Sequence, residues 1–181
     1  MTETQWKDEV ALISARLKER EALGNKILNN PSYIAFSLKL IQQQDPLLAT
    51  NAAYGLDIAL RKDITLLKPY LKEFLEVLDR NTIATVSRIL AKSCELLTTA
   101  HTKNNSIALN KKEQQQLVTR CFDWLINDEK VAVKVFAMQS IYNLVDTEPW
   151  IKPELKAQLT LQFENSTAAF RSRASKILAL L

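Results

Sequence analysis

Residues 127–141 carry the pattern that decides the fold, and they read NDEKVAVKVFAMQSI. An acidic turn comes first, and Lys134 follows Asp128 by six positions. Ala137 stands three positions beyond Lys134, and Ile141 stands four beyond Ala137. Residues separated by three and four positions share one face of an α-helix. The stretch therefore predicts a turn followed by a helix with one buried face.

The composition extends this prediction to the whole chain. Its 181 residues suit one domain or one compact repeat array, and they include only two glycines and five prolines. Good helix formers dominate (Ala, Leu, Lys, Glu and Gln). Nine segments repeat apolar residues at helical spacing, and no segment shows the alternation of a strand. We expect an all-α protein.

Several helix limits can be predicted from local signals. We expect the first helix to span Thr4–Ala22 and Gly24 to end it, because glycine favours the position after a helix. Pro31 should open the second helix, and Asp45 should cap the third. The third helix carries a stripe of small residues, so it should be an inner helix that its neighbours approach closely. The polar stretch 101–106 reads as an exposed loop.

The turn-and-helix pattern recurs. Asn165 precedes Arg171 by six positions, as Asp128 precedes Lys134, and an apolar stripe follows in both cases. The pattern K-P-x-L-K occurs at 68–72 and at 152–156, each time where we expect a helix to open. A period of about 35–45 residues built from helix pairs is typical of an α-solenoid.

On these residues the sequence resembles the HEAT repeat, a member of the ARM/HEAT class of α-solenoids. The resemblance implies one domain over 1–181, a right-handed α-α superhelix of about four HEAT-like hairpins plus an N-terminal helix. The capping helix would occupy 1–30, and the hairpins would occupy about 31–61, 64–100, 111–146 and 149–181. It also implies that second helices line a concave face and that Asp128–Lys134 and Asn165–Arg171 form a polar ladder between repeats.

The chain lacks the usual marks of catalysis. HExxH, P-loop, GxSxG and GxGxxG motifs are absent, and the single histidine, His101, falls in the expected loop, where it should be solvated. We therefore predict no enzyme activity, no cofactor and no metal. Cys94 and Cys121 lie on apolar helix stripes, which predicts buried reduced thiols. The polar N-terminus and the lack of a long apolar run predict a cytoplasmic protein with no membrane partner.

Solenoids bind through extended surfaces, so we expect a scaffold or adaptor that binds a protein partner through its concave face. The candidate contact residues are Thr50, Tyr54, Arg88, Lys134, Gln139, Arg171, Arg173 and Lys176. The apolar ending Leu178–Leu181 lacks a polar cap, so we also expect homo-oligomers formed through the C-terminal helix.

Nucleic-acid binding is the alternative, because basic residues concentrate towards the C-terminus. The net charge of +4 permits such binding without demanding it. At its extreme this alternative is a HEAT-like alkylpurine DNA glycosylase, with Asp123, Trp124 and Trp150 in a basic groove. Trp124 lies on an apolar stripe, however, which favours a place in the core.

Overall fold

The computed structural model describes residues 1–181 and is entirely helical, with no strand. A 3₁₀ helix over Ile64–Tyr70 precedes the fifth of ten α-helices. The α-helices are α1 (Glu3–Leu12), α2 (Leu17–Asn29), α3 (Tyr33–Gln42), α4 (Pro46–Lys62), α5 (Leu71–Arg80), α6 (Ala84–Thr102), α7 (Lys111–Ile126), α8 (Val131–Asn143), α9 (Ile151–Phe163) and α10 (Ala168–Leu178). The all-α prediction is confirmed. None of these helices combines the length and the apolar character that a membrane span requires.

The chain forms two compact units, residues 1–93 and residues 94–181, and the division falls within α6. In the first unit α4 is the central helix, with α1, α2 and α3 packed against it. Its small side chains, including Ala52 and Ala59, are fully buried. At Gly55 and Gly24 the helices α4 and α2 come so close that a β-carbon on Gly24 would lie 2.5 Å from the Ile58 side chain. The prediction of an inner, closely packed third helix is confirmed.

The predicted helix over Thr4–Ala22 is wrong, because α1 ends at Leu12 and α2 begins at Leu17. The break is held by Asn51, which is 3% exposed. Its Nδ2 donates to the carbonyl of Val10 at 3.0 Å and to the carbonyl of Ile13 at 2.9 Å. These bonds satisfy carbonyls that a helix leaves unpaired at its end. Residues 1–30, predicted as one capping helix, therefore form two helices, and the total is ten instead of nine.

Other helix limits agree in part with those predicted from the sequence. Asp45 caps α4 as predicted, because its Oδ1 accepts from the Leu48 amide at 2.8 Å. Gly24 lies inside α2 and does not end it, and Pro31 lies in the turn before α3. The first K-P-x-L-K pattern does not open an α-helix directly, since Pro69 lies in the 3₁₀ helix that precedes α5.

In the second unit α7 packs against α8, and α8 packs against α10. Helix α9 packs against α8 and α10. Trp124 is 1% exposed, which confirms its predicted place in the core. Cys94 and Cys121 are buried free thiols, as predicted. His101 is not in an exposed loop, because α6 continues to Thr102 and the ring is half-buried. The Leu109 amide donates to its Nδ1 at 3.3 Å, which ties the following segment to α6.

Candidate binding face on α6, α8 and α10

A row of hydrogen bonds joins side chains of α6, α8 and α10 within the second unit. Arg173 of α10 donates through Nη1 to Glu95 Oε1 of α6 at 3.0 Å and to Gln139 Oε1 of α8 at 2.8 Å. Gln139 Nε2 then donates to Asn143 Oδ1 at 2.9 Å. We call this set the polar seam, and it consists of Glu95, Thr98, Thr99, Gln139, Asn143 and Arg173.

The other end of the polar seam returns to α6. Asn143 Nδ2 donates to the hydroxyls of Thr98 and Thr99, each at 3.0 Å. Both threonines also donate to carbonyls of their own helix, Thr98 to Cys94 at 2.9 Å and Thr99 to Glu95 at 2.7 Å. Helical spacing places residues 95, 98 and 99 on one face of α6, and places 139 and 143 on one face of α8. The packing of α6, α8 and α10 then brings these faces together.

Burial divides the seam into an anchored part and an accessible part. The Glu95 side chain is 11% exposed, whereas the Arg173 side chain is 32% exposed. A buried carboxylate requires a partner, and the arginine supplies one through a charge-assisted hydrogen bond. Gln139 and Asn143 are half-buried. The result is a polar surface whose side chains are held in fixed positions while parts of them remain open to solvent.

A groove of about 370 Å³ lies in the same unit, where the turns before α8 and α10 meet. It gathers Asp128, Lys134 and Asn165, three of the four residues of the predicted polar ladder. The predicted pairing does not form. Lys134 Nζ donates instead to Gln162 Oε1 of α9 at 3.0 Å, because this half-buried amide lies within its reach while Asp128 stands on the exposed turn.

The second half of the predicted ladder is also replaced. Arg171 Nη1 donates to the main-chain carbonyl of Ser166 at 2.5 Å and not to Asn165. Thr167, and not Asn165 or Ser166, caps α10, since its hydroxyl accepts from the Phe170 amide at 3.4 Å. Arg171 therefore supports the turn before α10 and makes no bond to Asn165.

The remaining candidate residues do not join the polar seam. Thr50 and Tyr54 lie on α4, and the Arg20 guanidinium stands 4.5 Å above the centre of the Tyr54 ring. Arg88 is half-buried on α6, and Lys176 is exposed on α10. Of the eight candidates, the structure brings Gln139 and Arg173 into direct contact.

Four seam residues escaped the sequence analysis: Glu95, Thr98, Thr99 and Asn143. The sequence offers a weak signal at Glu95, a charged residue directly after Cys94, which lies on the apolar stripe of α6. Buried charges are paired in folded proteins, so a charge at that position requires a cationic partner from another helix. Nothing local identifies Arg173 as that partner, because it lies 78 positions away.

Cys94 lies next to the seam residue Glu95, and burial determines the ionisation of its thiol. Desolvation raises the pKa of the Cys94 thiol well above its ordinary value, with a further contribution from the neighbouring Cys121 thiol. Cys94 is therefore a neutral thiol at physiological pH, and neutral thiols are poor nucleophiles.

Asp123 is exposed and Trp124 is buried, so the two adjacent residues point to different sides of α7.

No family model matches this chain, and no curated protein or solved structure matches it either.

Proposed function

We propose that this chain is a HEAT-like α-solenoid that binds a protein partner and catalyses no reaction. Helix pairing supports the proposal, because α3 packs on α4, α7 on α8 and α9 on α10. The second helices of successive pairs also pack together, α2 on α4 and α8 on α10. Packing of this kind within each unit supports the proposal of about four hairpins in a right-handed superhelix, preceded by an N-terminal cap.

The polar seam is the observation that carries the binding proposal. It runs across α6, α8 and α10, each of which is the second helix of its pair in the proposed solenoid. Interfaces favour arginine and side chains whose hydrogen-bonding groups are already in position, because less conformational freedom is then lost on binding. Arg173 meets both conditions, and its hydrogen bond holds Gln139 in position. The free thiols Cys94 and Cys121 also support a reducing, cytoplasmic setting for such a partner.

Cross-linking with mass spectrometry tests this proposal. Partners captured from source cells should form cross-links to α6, α8 and α10, and the purified pair should then bind in calorimetry. Arg171→Glu with Lys176→Glu on α10 should weaken binding about tenfold or more. Lys152→Glu with Lys156→Glu on α9 makes the same change of charge on exposed side chains and should have little effect. Cross-links that map only to other helices would refute the proposed face.

Nucleic-acid binding is the second candidate. It is favoured by the exposure of Lys152, Lys156, Arg171 and Lys176. It is weakened at Arg173, whose guanidinium is already bound to Glu95. Binding of duplex and single-stranded DNA should fall by about 10³-fold between 50 and 200 mM salt if six or more phosphates are contacted.

The control for this candidate replaces Arg171, Arg173 and Lys176 together by Glu, which should abolish phosphate-driven binding. A glycosylase assay on alkylated duplex follows if the unmodified protein binds. Absence of binding at low salt would exclude this candidate and its enzymatic extreme.

Self-association through α10 is a further part of the proposal. Leu180 is 67% exposed at the end of the chain. Sedimentation at increasing concentration should show a dimer for the unmodified chain, and Leu180→Lys should abolish it. A monomer at all concentrations would contradict this part alone.

A further inference from the structure

Trp150 is the one tryptophan that remains open to solvent. Its side chain is 50% exposed, whereas Trp6 and Trp124 are 0% and 1% exposed. The indole packs against Phe122, which is 6% exposed, with the ring centres 5.4 Å apart and an angle of 35° between the planes. Burying a tryptophan is favourable, so half-exposure costs stability that a bound partner could recover. The contact with Phe122 fixes the exposed ring in place.

A pocket of about 290 Å³ lies beside this ring. Gln115 and Thr119 of α7 form one side, and Thr147 and Glu148 from the turn before α9 form another. Glu148 is the only charged residue in the lining. An aromatic ring, a carboxylate and side-chain oxygens therefore surround one small volume, and each of these groups attracts a cation or an N–H donor.

The carboxylate of Glu148 is hydrogen-bonded through one of its two oxygens. Its Oε1 accepts from Lys111 Nζ at 2.9 Å and from Gln115 Nε2 at 3.3 Å, while Oε2 has no partner. The hydrogen bond from Lys111 holds the pKa of the Glu148 carboxyl below its ordinary value, so the group is ionised at neutral pH. The Lys111 side chain is 74% exposed, and an ion pair to such a side chain contributes little. A better cation can therefore displace it.

We propose that this pocket binds an arginine side chain presented by a partner protein. The guanidinium plane would stack on Trp150 and donate to Glu148, and its remaining N–H groups would find the oxygens of Gln115 and Thr119. Arginine fits better than lysine because a planar, weakly hydrated group can stack and donate in two directions together. Tryptophan and arginine are also the side chains that contribute most at protein interfaces.

This inference goes beyond the proposed function, because the pocket contains no seam residue and stands on α7 and the turn before α9. The charge-reversing variants on α10 therefore test the proposed face on α6, α8 and α10 without touching the pocket.

The three indole N–H signals in a ¹H–¹⁵N NMR spectrum test the proposal. N-acetyl-arginine amide should shift the Trp150 signal saturably, with a Kd on the order of 1 mM for so small a ligand. The signals of Trp6 and Trp124 should stay in place, which also shows that the fold is intact. N-acetyl-citrulline amide has the same shape without the charge and should bind at least about tenfold more weakly. Equal shifts from both ligands, or no shift with arginine, would overturn the proposal.

Three variants sharpen the test. Glu148→Gln should weaken arginine binding about tenfold, because the charge is lost and the shape is kept. Lys111→Ala should strengthen it by about two- to fivefold, because the internal competitor is gone. Lys112→Ala removes the same charge from the adjacent exposed position and should leave the affinity unchanged. An affinity that is unaltered or reduced in Lys111→Ala would contradict the role of Glu148 as the cation acceptor.

Discussion

Replacing Gly24 by alanine should destabilise the protein, although alanine is the better helix former. Gly24 lies in the interior of α2 with φ negative, so a β-carbon meets no backbone strain. The added β-carbon would instead collide with α4. The added carbon would lie 2.5 Å from both Cβ and Cγ2 of Ile58 and 3.2 Å from the carbonyl oxygen of Gly55. A Cβ cannot rotate away, so the two helices have to separate.

The magnitude follows from two opposing terms. The gain in helix propensity is about 1 kcal/mol. Carbon atoms in contact prefer a separation of about 3.5–4.0 Å, so α2 and α4 must part by about 1 Å, and a gap of that size forfeits a quarter to a half of each contact's attraction. Overpacking of this kind costs about 1–3 kcal/mol even where side chains can adjust, and here the obstacle is next to the backbone. We expect a net loss of about 1–2 kcal/mol.

Thermal and urea unfolding measure this loss. A change of 1–2 kcal/mol should lower Tm by roughly 2–8 °C for a chain of this size. Ala22→Gly is the matched control, because Ala22 is exposed on the same helix and only propensity is at stake. It should lose about 1 kcal/mol. If close packing were unimportant, Gly24→Ala would raise Tm by about as much as Ala22→Gly lowers it, and that result would refute the reasoning.

Three further predictions concern other parts of the chain. Asn51→Ala should cost roughly 1–3 kcal/mol in urea unfolding, because two carbonyls at the end of α1 lose their donor; an unchanged midpoint would count against this account of the break. Because both thiols are buried, Cys94 and Cys121 should resist alkylation in the native protein at pH 8 and react promptly in urea, and rapid labelling without denaturant would be the contrary result. Because Lys111 lowers the folded-state pKa of Glu148, their contact should stabilise the fold above the ordinary glutamate pKa and be lost as pH falls through the lower folded value. Lys111→Ala should move the carboxyl titration, followed by NMR, upward towards the ordinary value, and an unmoved titration would disprove the assignment.

Local signals in the sequence were sufficient for much of the fold. The helical spacing of Leu117, Cys121 and Trp124 predicts a helix over about 111–126, and α7 spans Lys111–Ile126. Asp45 before Pro46 likewise predicts the start of α4. In both cases the deciding interaction lies within a few residues. Asn110, for example, caps α7 by accepting from the Glu113 amide at 3.0 Å.

Interactions between distant residues explain the errors. The apolar stripe of α1 continues into α2 without a proline or glycine at the break, and the residue that ends α1 is Asn51, on another helix. Glycine often ends a helix, but Gly24 lies within α2, where the lack of a side chain lets α4 approach closely. The candidate site shows the same limit. Gln139 was predicted as part of the concave face and Arg173 as part of the basic C-terminal residues, whereas the pairing of Glu95 with Arg173 depends on a contact across 78 positions.

The polar seam also has a consequence for how the chain folds. The bond from Arg173 to Glu95 spans 78 positions of sequence. The bonds from Asn143 to Thr98 and Thr99 span 45 and 44 positions. Contacts of such long sequence separation form late, because a large loop must close before they contribute. The seam contacts between α6 and α10 are therefore expected to form after neighbouring helices such as α7 and α8 have packed. Glu95 therefore gains its hydrogen bond from Arg173 in a late stage of folding, when the second unit closes across its longest sequence separation.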